Sequence, residues 1–219
     1  MERKTSLQIT NYSSALQTRG LFISTPTLRT LPPVSTCLNK QIIKAHHGTL
    51  AHTSLAPLSP WFVTGFTDGE GSFGIYFPKS SQHKLGYQLK YEFTIALHKK
   101  DRCLLENIKL SFNDVGAIHR HGEESVHYRV SSKKDLSVIL NHFDKHFLVT
   151  QKRADYLLFK RVLELVQRKE HLTSDGFQEI LSIKAAMNLG LPDSLKEAFP
   201  NVVPVERPKV ENQIISDPL

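Results

Sequence analysis

The stretch YQLKYEFTIAL, residues 87–97, alternates without a break. Tyr87, Leu89, Tyr91, Phe93, Ile95 and Leu97 face one way; Gln88, Lys90, Glu92, Thr94 and Ala96 face the other. Such a segment is satisfied only as a half-buried antiparallel strand, apolar on one side and wet on the other. SFGIYFPKSS, residues 72–81, repeats the pattern, with Phe73, Ile75 and Phe77 opposite Ser72, Gly74 and Tyr76. His83 to Gly86 supplies the turn between the two. VGAIHRH (115–121) and SVHYRVS (125–131) make a second hairpin around Gly122, Glu123 and Glu124, with Val126, Tyr128 and Val130 inward.

Helical periods surround these hairpins. Ser59 followed by Pro60 reads as an N-cap and first helical residue, opening a helix to about Glu70. Further helices are expected from Asp101 to about Ser111, over Lys134–His146, over Gln151–Lys169 and over Thr173–Leu189. The order is α-β-β-α-β-β-α-α with one more helix behind it. Helices on one face of a four-stranded antiparallel sheet define an α+β fold.

Three segments follow from the change in texture along the chain. Residues 1–57 hold Ser, Thr, Leu, Pro and scattered Arg and Lys, with Glu2 as the sole acid. They read as a disordered or targeting extension, since an acid-poor, Arg- and Ser-containing start is the composition of organellar transit peptides. Residues 58–190 hold the folded domain. Residues 191–219, with Pro192, Pro200, Pro204 and Pro208, read as a Pro-rich linker or tail. No run of 18 apolar residues occurs, so no membrane span is expected. The two cysteines, Cys37 and Cys103, have neither CxxC nor zinc-knuckle spacing. Zinc is not expected from His142 and His146 either, because no HExxH glutamate or nearby cysteine completes a ligand set.

The formal net charge of +7 and sequence pI of about 9.4 point to a polyanionic partner. The polar sheet face offers Ser72, Gly74, Tyr76, Lys79, Gln88, Lys90, Glu92, Thr94, His119, His127 and Arg129. It reads either as a plain solvated surface or as a platform whose side chains reach base edges and phosphates.

WFVTGFTDGEGSF, residues 61–73, is a poor design for helix stability alone. Gly65 and Gly69 weaken the helix, and Glu70 adds negative charge where the helix dipole is already negative. Each weakness has a use if two such helices pair. Small residues four apart permit close backbone approach. Two Glu70 carboxylates brought together would call for a divalent cation such as Mg²⁺, which favours one or two carboxylates together with phosphate oxygens.

VTGFTDGEG, residues 63–71, resembles the nine-position signature of LAGLIDADG homing endonucleases. The longer stretch, with LHKKDRCLLENI (97–108), YRVSSKKDL (128–136) and TQKRADYLLFK (150–160), is similar to the fungal mitochondrial, intron-encoded branch. The resemblance spans roughly residues 58–190. It implies a saddle-shaped four-stranded sheet lying in the major groove of double-stranded DNA, and metal-assisted phosphodiester hydrolysis with Mg²⁺. It implies that Glu70 is catalytic and a metal ligand, with the Gly69 carbonyl as a second ligand and Asp68 structural. Gly65, Phe66 and Gly69 would form the dimer interface; Lys152 and Gln151 would support the attacking water and the transition state. A single motif implies a homodimer, or one half awaiting a missing second LAGLIDADG half, which the closing NQIISDPL resembles leading into. The branch further implies a mitochondrial location. An RNA maturase acting on intron RNA, or a catalytically silent DNA-binding half, is the alternative on the same fold.

Overall fold

The computed structural model describes residues 58–210, and the N-terminal extension read over 1–57 lies outside the described residues. The elements are α1 (Pro60–Glu70), β1 (Gly71–Tyr76), β2 (Lys90–His98), α2 (Arg102–Ser111), β3 (Ala117–His121), β4 (Ser125–Val130), α3 (Lys133–Lys145), α4 (Lys152–Gln167), α5 (Ser174–Ala186) and α6 (Asp193–Ala198). The four strands form one antiparallel sheet in the order β1-β2-β4-β3. This is the α+β arrangement that the alternating segments and helical periods predict.

Register follows from the side-chain period of two, which sends every second residue to the core. Phe73, Ile75, Phe93, Ile95, Val126, Tyr128 and Val130 are buried on the helix side of the sheet. Phe73 is the hub of that core. Its ring lies 5.3 Å from Phe93, 5.8 Å from Phe143, 5.4 Å from Tyr156 and 5.4 Å from Phe159. Thus β1, β2, α3 and α4 meet on one side chain, three residues beyond the end of α1.

Two local expectations are revised. β2 begins at Lys90, not at Tyr87 where the alternation begins. Tyr87 instead makes an isolated bridge with Lys79, Gln88 N donates to Pro78 O at 2.9 Å, and the Tyr87 ring packs 5.4 Å from Phe199. The residues keep their periodicity but use it in a loop that packs against the segment around Phe199. Ser59 precedes α1 as expected, yet its hydroxyl makes no capping bond; its carbonyl accepts from Val63 N at 3.2 Å.

The segment after Gly190, read as a linker or tail, packs back on the domain as far as residue 207. Leu191 and Leu195 are buried, Phe199 sits 5.9 Å from Phe177, and Val205 N donates to Ser182 O at 3.1 Å. Prolines stop a helix here without preventing burial, because the apolar residues between them supply the packing surface.

Removing the hub tests this description. Phe73→Ala should cost about 3–5 kcal/mol, as a fully buried aromatic truncated to alanine does. Urea unfolding of the two proteins measures it.

Candidate active site and nucleic-acid interface

α1 ends because of what Gly71 must touch. Its φ of −77° is ordinary, so glycine here does not serve as a left-handed helix cap. A Cβ at Gly71 would instead collide with the side chain and carbonyl of Thr67. Only glycine lets the chain turn from α1 directly into β1 over fully buried Thr67. That turn holds Glu70 at the exposed end of α1, immediately before the sheet.

The cation demanded by the helix end is present within the chain. Lys152 Nζ donates to Thr67 O at 2.9 Å and to Gly69 O at 3.1 Å. Thr67 O also accepts from Gly71 N at the helix end, and a positive charge beside these last carbonyls offsets the negative end of the helix dipole. Burial pulls the Lys152 ammonium below its ordinary pKa, while Asp68, Glu70 and Asp155 oppose that pull. Asp68 locks the facing loop: Oδ2 accepts from Val149 N at 2.9 Å and Oδ1 from Thr150 Oγ1 at 2.7 Å. Lys152 and Glu70 are therefore brought together, and Asp68 takes the structural place expected of it. Gln151 lies at the exposed start of α4, where its carbonyl accepts from Arg207 Nη2 at 3.0 Å.

Glu70 and the Gly69 carbonyl are hard oxygen donors of the kind Mg²⁺ takes. A carbonyl oxygen has two lone pairs, so the bond from Lys152 leaves Gly69 O capacity for a second partner. Among the described residues no group of three or more His, Cys, Asp or Glu could hold a metal ion. The donors fit a divalent cation as part of a coordination sphere that phosphate, water or a second carboxylate completes.

The opposite face of α1 is open. Gly65 and Gly69 are exposed, and a Cβ on either would meet nothing within 4 Å. Phe62 is 45% exposed and stacks on Phe66 at 5.9 Å, placing Phe62, Gly65, Phe66 and Gly69 on one stripe at helical spacing. Nothing in the described chain requires glycine at positions 65 and 69, or rewards an exposed phenylalanine there.

On the polar sheet face, register lines the expected residues into rows. Ser72, Thr94 and Arg129 form one, Tyr76 and Lys90 another, and His119 and His127 a third with Ala96. Glu92 accepts an ion pair from Arg129 at 3.1 Å. Gly74, paired with Glu92, differs from the expectation of an open contact point: it is buried, and a Cβ there would strike the Tyr76 ring. Gly74 thus makes room for Tyr76. Lys79 and Gln88 lie in the loop beyond the strand ends. The alternation also marks His98 and His121 for this face, and His121 stacks on His127 at 4.3 Å. Arg207, whose guanidinium meets Asp155 and the start of α4, had no sequence signal, since its partners lie far away along the chain.

Comparison with known proteins agrees with the geometry. Residues 63–163 match the LAGLIDADG endonuclease family. The chain belongs to that family. It is 39% identical over 198 residues to a probable intron-encoded endonuclease 2 of Neurospora crassa, a match covering 85% of this chain and 43% of that protein. It is 49% identical over 121 residues to an uncharacterized 50.9 kDa protein in ND4 intron 1 of Podospora anserina, covering 54% of this chain and 27% of that one. Among solved structures it resembles the I-SmaMI LAGLIDADG homing endonuclease bound to cleaved DNA, with TM-score 0.71, 46% identity, and coverage of 74% of this chain and 54% of that one. The same enzyme bound to uncleaved DNA target in the presence of calcium ions gives TM-score 0.71 and 46% identity. The chain spans about half the length, or less, of these relatives.

The anchoring of α1 is pH-sensitive. Thr64 Oγ1 donates to His146 O at 3.0 Å, so its bond to His142 Nε2 at 3.1 Å is donated by the imidazole. Burial, with His146 adding repulsion, depresses His142 to about 4. A folded value below the unfolded one means the unfolded chain binds more protons between them, so stability rises with pH. The expected result is full stability above about pH 6.5 and progressive loss toward pH 4. His127 and His171, also depressed, act in the same direction. Thermal unfolding across this range should show the slope, and His142→Gln should reduce it.

Proposed function

We propose that this chain is one DNA-binding, DNA-cleaving unit of a site-specific homing endonuclease, acting with a second LAGLIDADG unit. The observation behind this reading is the open stripe of α1, with an exposed Phe62 and two glycines whose missing Cβ atoms would meet nothing in the described chain, next to an exposed Glu70. The second unit is either another copy of this chain or a second half such as the longer relatives have room for. The partner on the sheet face is double-stranded DNA, in keeping with the DNA-bound structures of its relatives.

In this reading the rows of the polar face lie in the major groove. Lys90, Arg129 and Lys79 meet phosphates and purine edges, and Ser72, Thr94, Gln88 and His119 offer shorter hydrogen bonds. Tyr76, lifted over Gly74, lies flat on that face, and Glu92 orients Arg129. Glu70 and Gly69 O would hold Mg²⁺. When bound, the ion supplies Lewis-acid stabilisation of the phosphate and of the leaving oxygen. Lys152 fixes the carbonyls on which that site depends and places positive charge beside the scissile phosphate. Gln151, at the exposed start of α4, orients water. The intron setting of the relatives, including ND4, supports a mitochondrial location.

Glu70→Gln tests the reading. It should leave DNA binding near wild type and lower cleavage in Mg²⁺ by at least the 10–100-fold or so that losing a metal-site partner costs. Binding and plasmid-nicking assays on target libraries, with sedimentation to count copies per complex, measure both. Undiminished cleavage by Glu70→Gln overturns the nuclease assignment, and intron splicing that survives the substitution in place of DNA cleavage would favour a maturase.

A further inference from the structure

We propose that Arg207 is a positioning residue for Lys152: by occupying the carboxylate of Asp155, it leaves the lysine directed at the end of α1. Only the catalytic consequence rests on the function proposed above; the placement itself is structural. Asp155 is 8% exposed and lies three residues after Lys152 on α4, a spacing at which helical side chains meet. A buried aspartate with spare lone pairs would draw the neighbouring ammonium to itself. Here three hydrogen bonds, two of them from one guanidinium, fill most of its acceptor positions. Arg207 Nη1 donates to Oδ1 at 2.7 Å and Nη2 to Oδ2 at 3.0 Å, the paired fork that guanidinium makes with carboxylate. Asn188 N adds a third bond to Oδ1 at 3.0 Å.

The same guanidinium fixes the frame around the lysine. Nη2 also donates to Gln151 O at 3.0 Å, at the residue preceding α4, and Nη1 to Ala186 O at 2.8 Å, at the end of α5. Asn188 in turn reaches β1, where Nδ2 donates to Phe73 O at 2.9 Å. Arg207 thus ties α4, α5 and, through Asn188, β1 into one unit behind Lys152. It is delivered there by the strap that Phe199 and Val205 pack against the domain. Lysine at position 207 could not reproduce the fork.

Crystal structures and single-turnover DNA cleavage of Arg207→Ala, Arg207→Lys and the double variant Asp155→Asn/Arg207→Ala test this. In Arg207→Ala the Lys152 ammonium should leave the Thr67 and Gly69 carbonyls for Asp155, and the cleavage rate should fall about 10-fold or more with DNA affinity nearly unchanged. Arg207→Lys should not restore either. The double variant removes the competing carboxylate, avoids an unpaired buried charge, and should return Lys152 to the carbonyls with most of the lost rate. Lys152 unmoved in Arg207→Ala, or a double variant in which it does not return, overturns the proposal. Full cleavage by Lys152→Ala would overturn the catalytic role of Lys152 while leaving its placement by Arg207 intact.

Discussion

The ammonium of Lys152 lies between the last carbonyls of α1 and the first turn of α4. Remove that charge and three features lose their support together. The Thr67 and Gly69 carbonyls would lose the lysine beside the Glu70 carboxylate, leaving negative charge at a helix end where the dipole opposes it. The junction of α1 with α4 would rest on Asp68 and its two bonds to the 149–150 loop. The exposed acid would lose a positive neighbour. The lysine is held half-buried at some cost, visible in its depressed pKa, and the acids around it offset part of that cost.

From this junction the sheet takes its position. Gly71 turns α1 into β1 in a single residue, so the helix end and the first residue of the polar face, Ser72, are separated only by that glycine. Phe73, next in line, seats its ring among Phe93, Phe143, Tyr156 and Phe159. The end of α1 that bears Glu70 and the polar face of the sheet are therefore joined directly. A DNA duplex placed against the rows of Ser72, Thr94 and Arg129 must pass close to Glu70 for reasons of chain geometry alone.

Periodicity made the sheet legible in advance. Phe73, Phe93, Tyr128 and their neighbours alternate too regularly to be anything but strand, and the polar face came from the same alternation read in its other phase. Glu70 stood out as a candidate because it is unfavourable where it stands, and a residue that local propensity disfavours marks a place to look for function or strain. Three kinds of fact were hidden. The break at Tyr87–Leu89 depends on packing against Phe199, a contact with no local signal. Gly74 looked like an open point on the polar face but serves to admit Tyr76, which only three-dimensional placement reveals. The Asp155–Arg207 pair joins residues 52 apart through a segment whose prolines read as linker.

The open stripe of α1 bears on how such a fold can be complete. Burying an exposed phenylalanine gains roughly 1.5–3 kcal/mol, and Phe62 is 45% exposed with Gly65 and Gly69 bare beside it. Glycines inside a helix cost up to about 1 kcal/mol each relative to alanine, and an alanine Cβ at either site would meet nothing in the described chain. Two unfavourable choices on one face, aligned with an exposed carboxylate at its end, are coherent if another surface comes close enough to need the missing Cβ atoms. A second helix of the same kind satisfies that condition, because each backbone then enters the space the other's glycines leave, and the two carboxylates arrive at one point. In such a pair the same closeness would call for a cation between the acids, and assembly and metal binding would then be coupled.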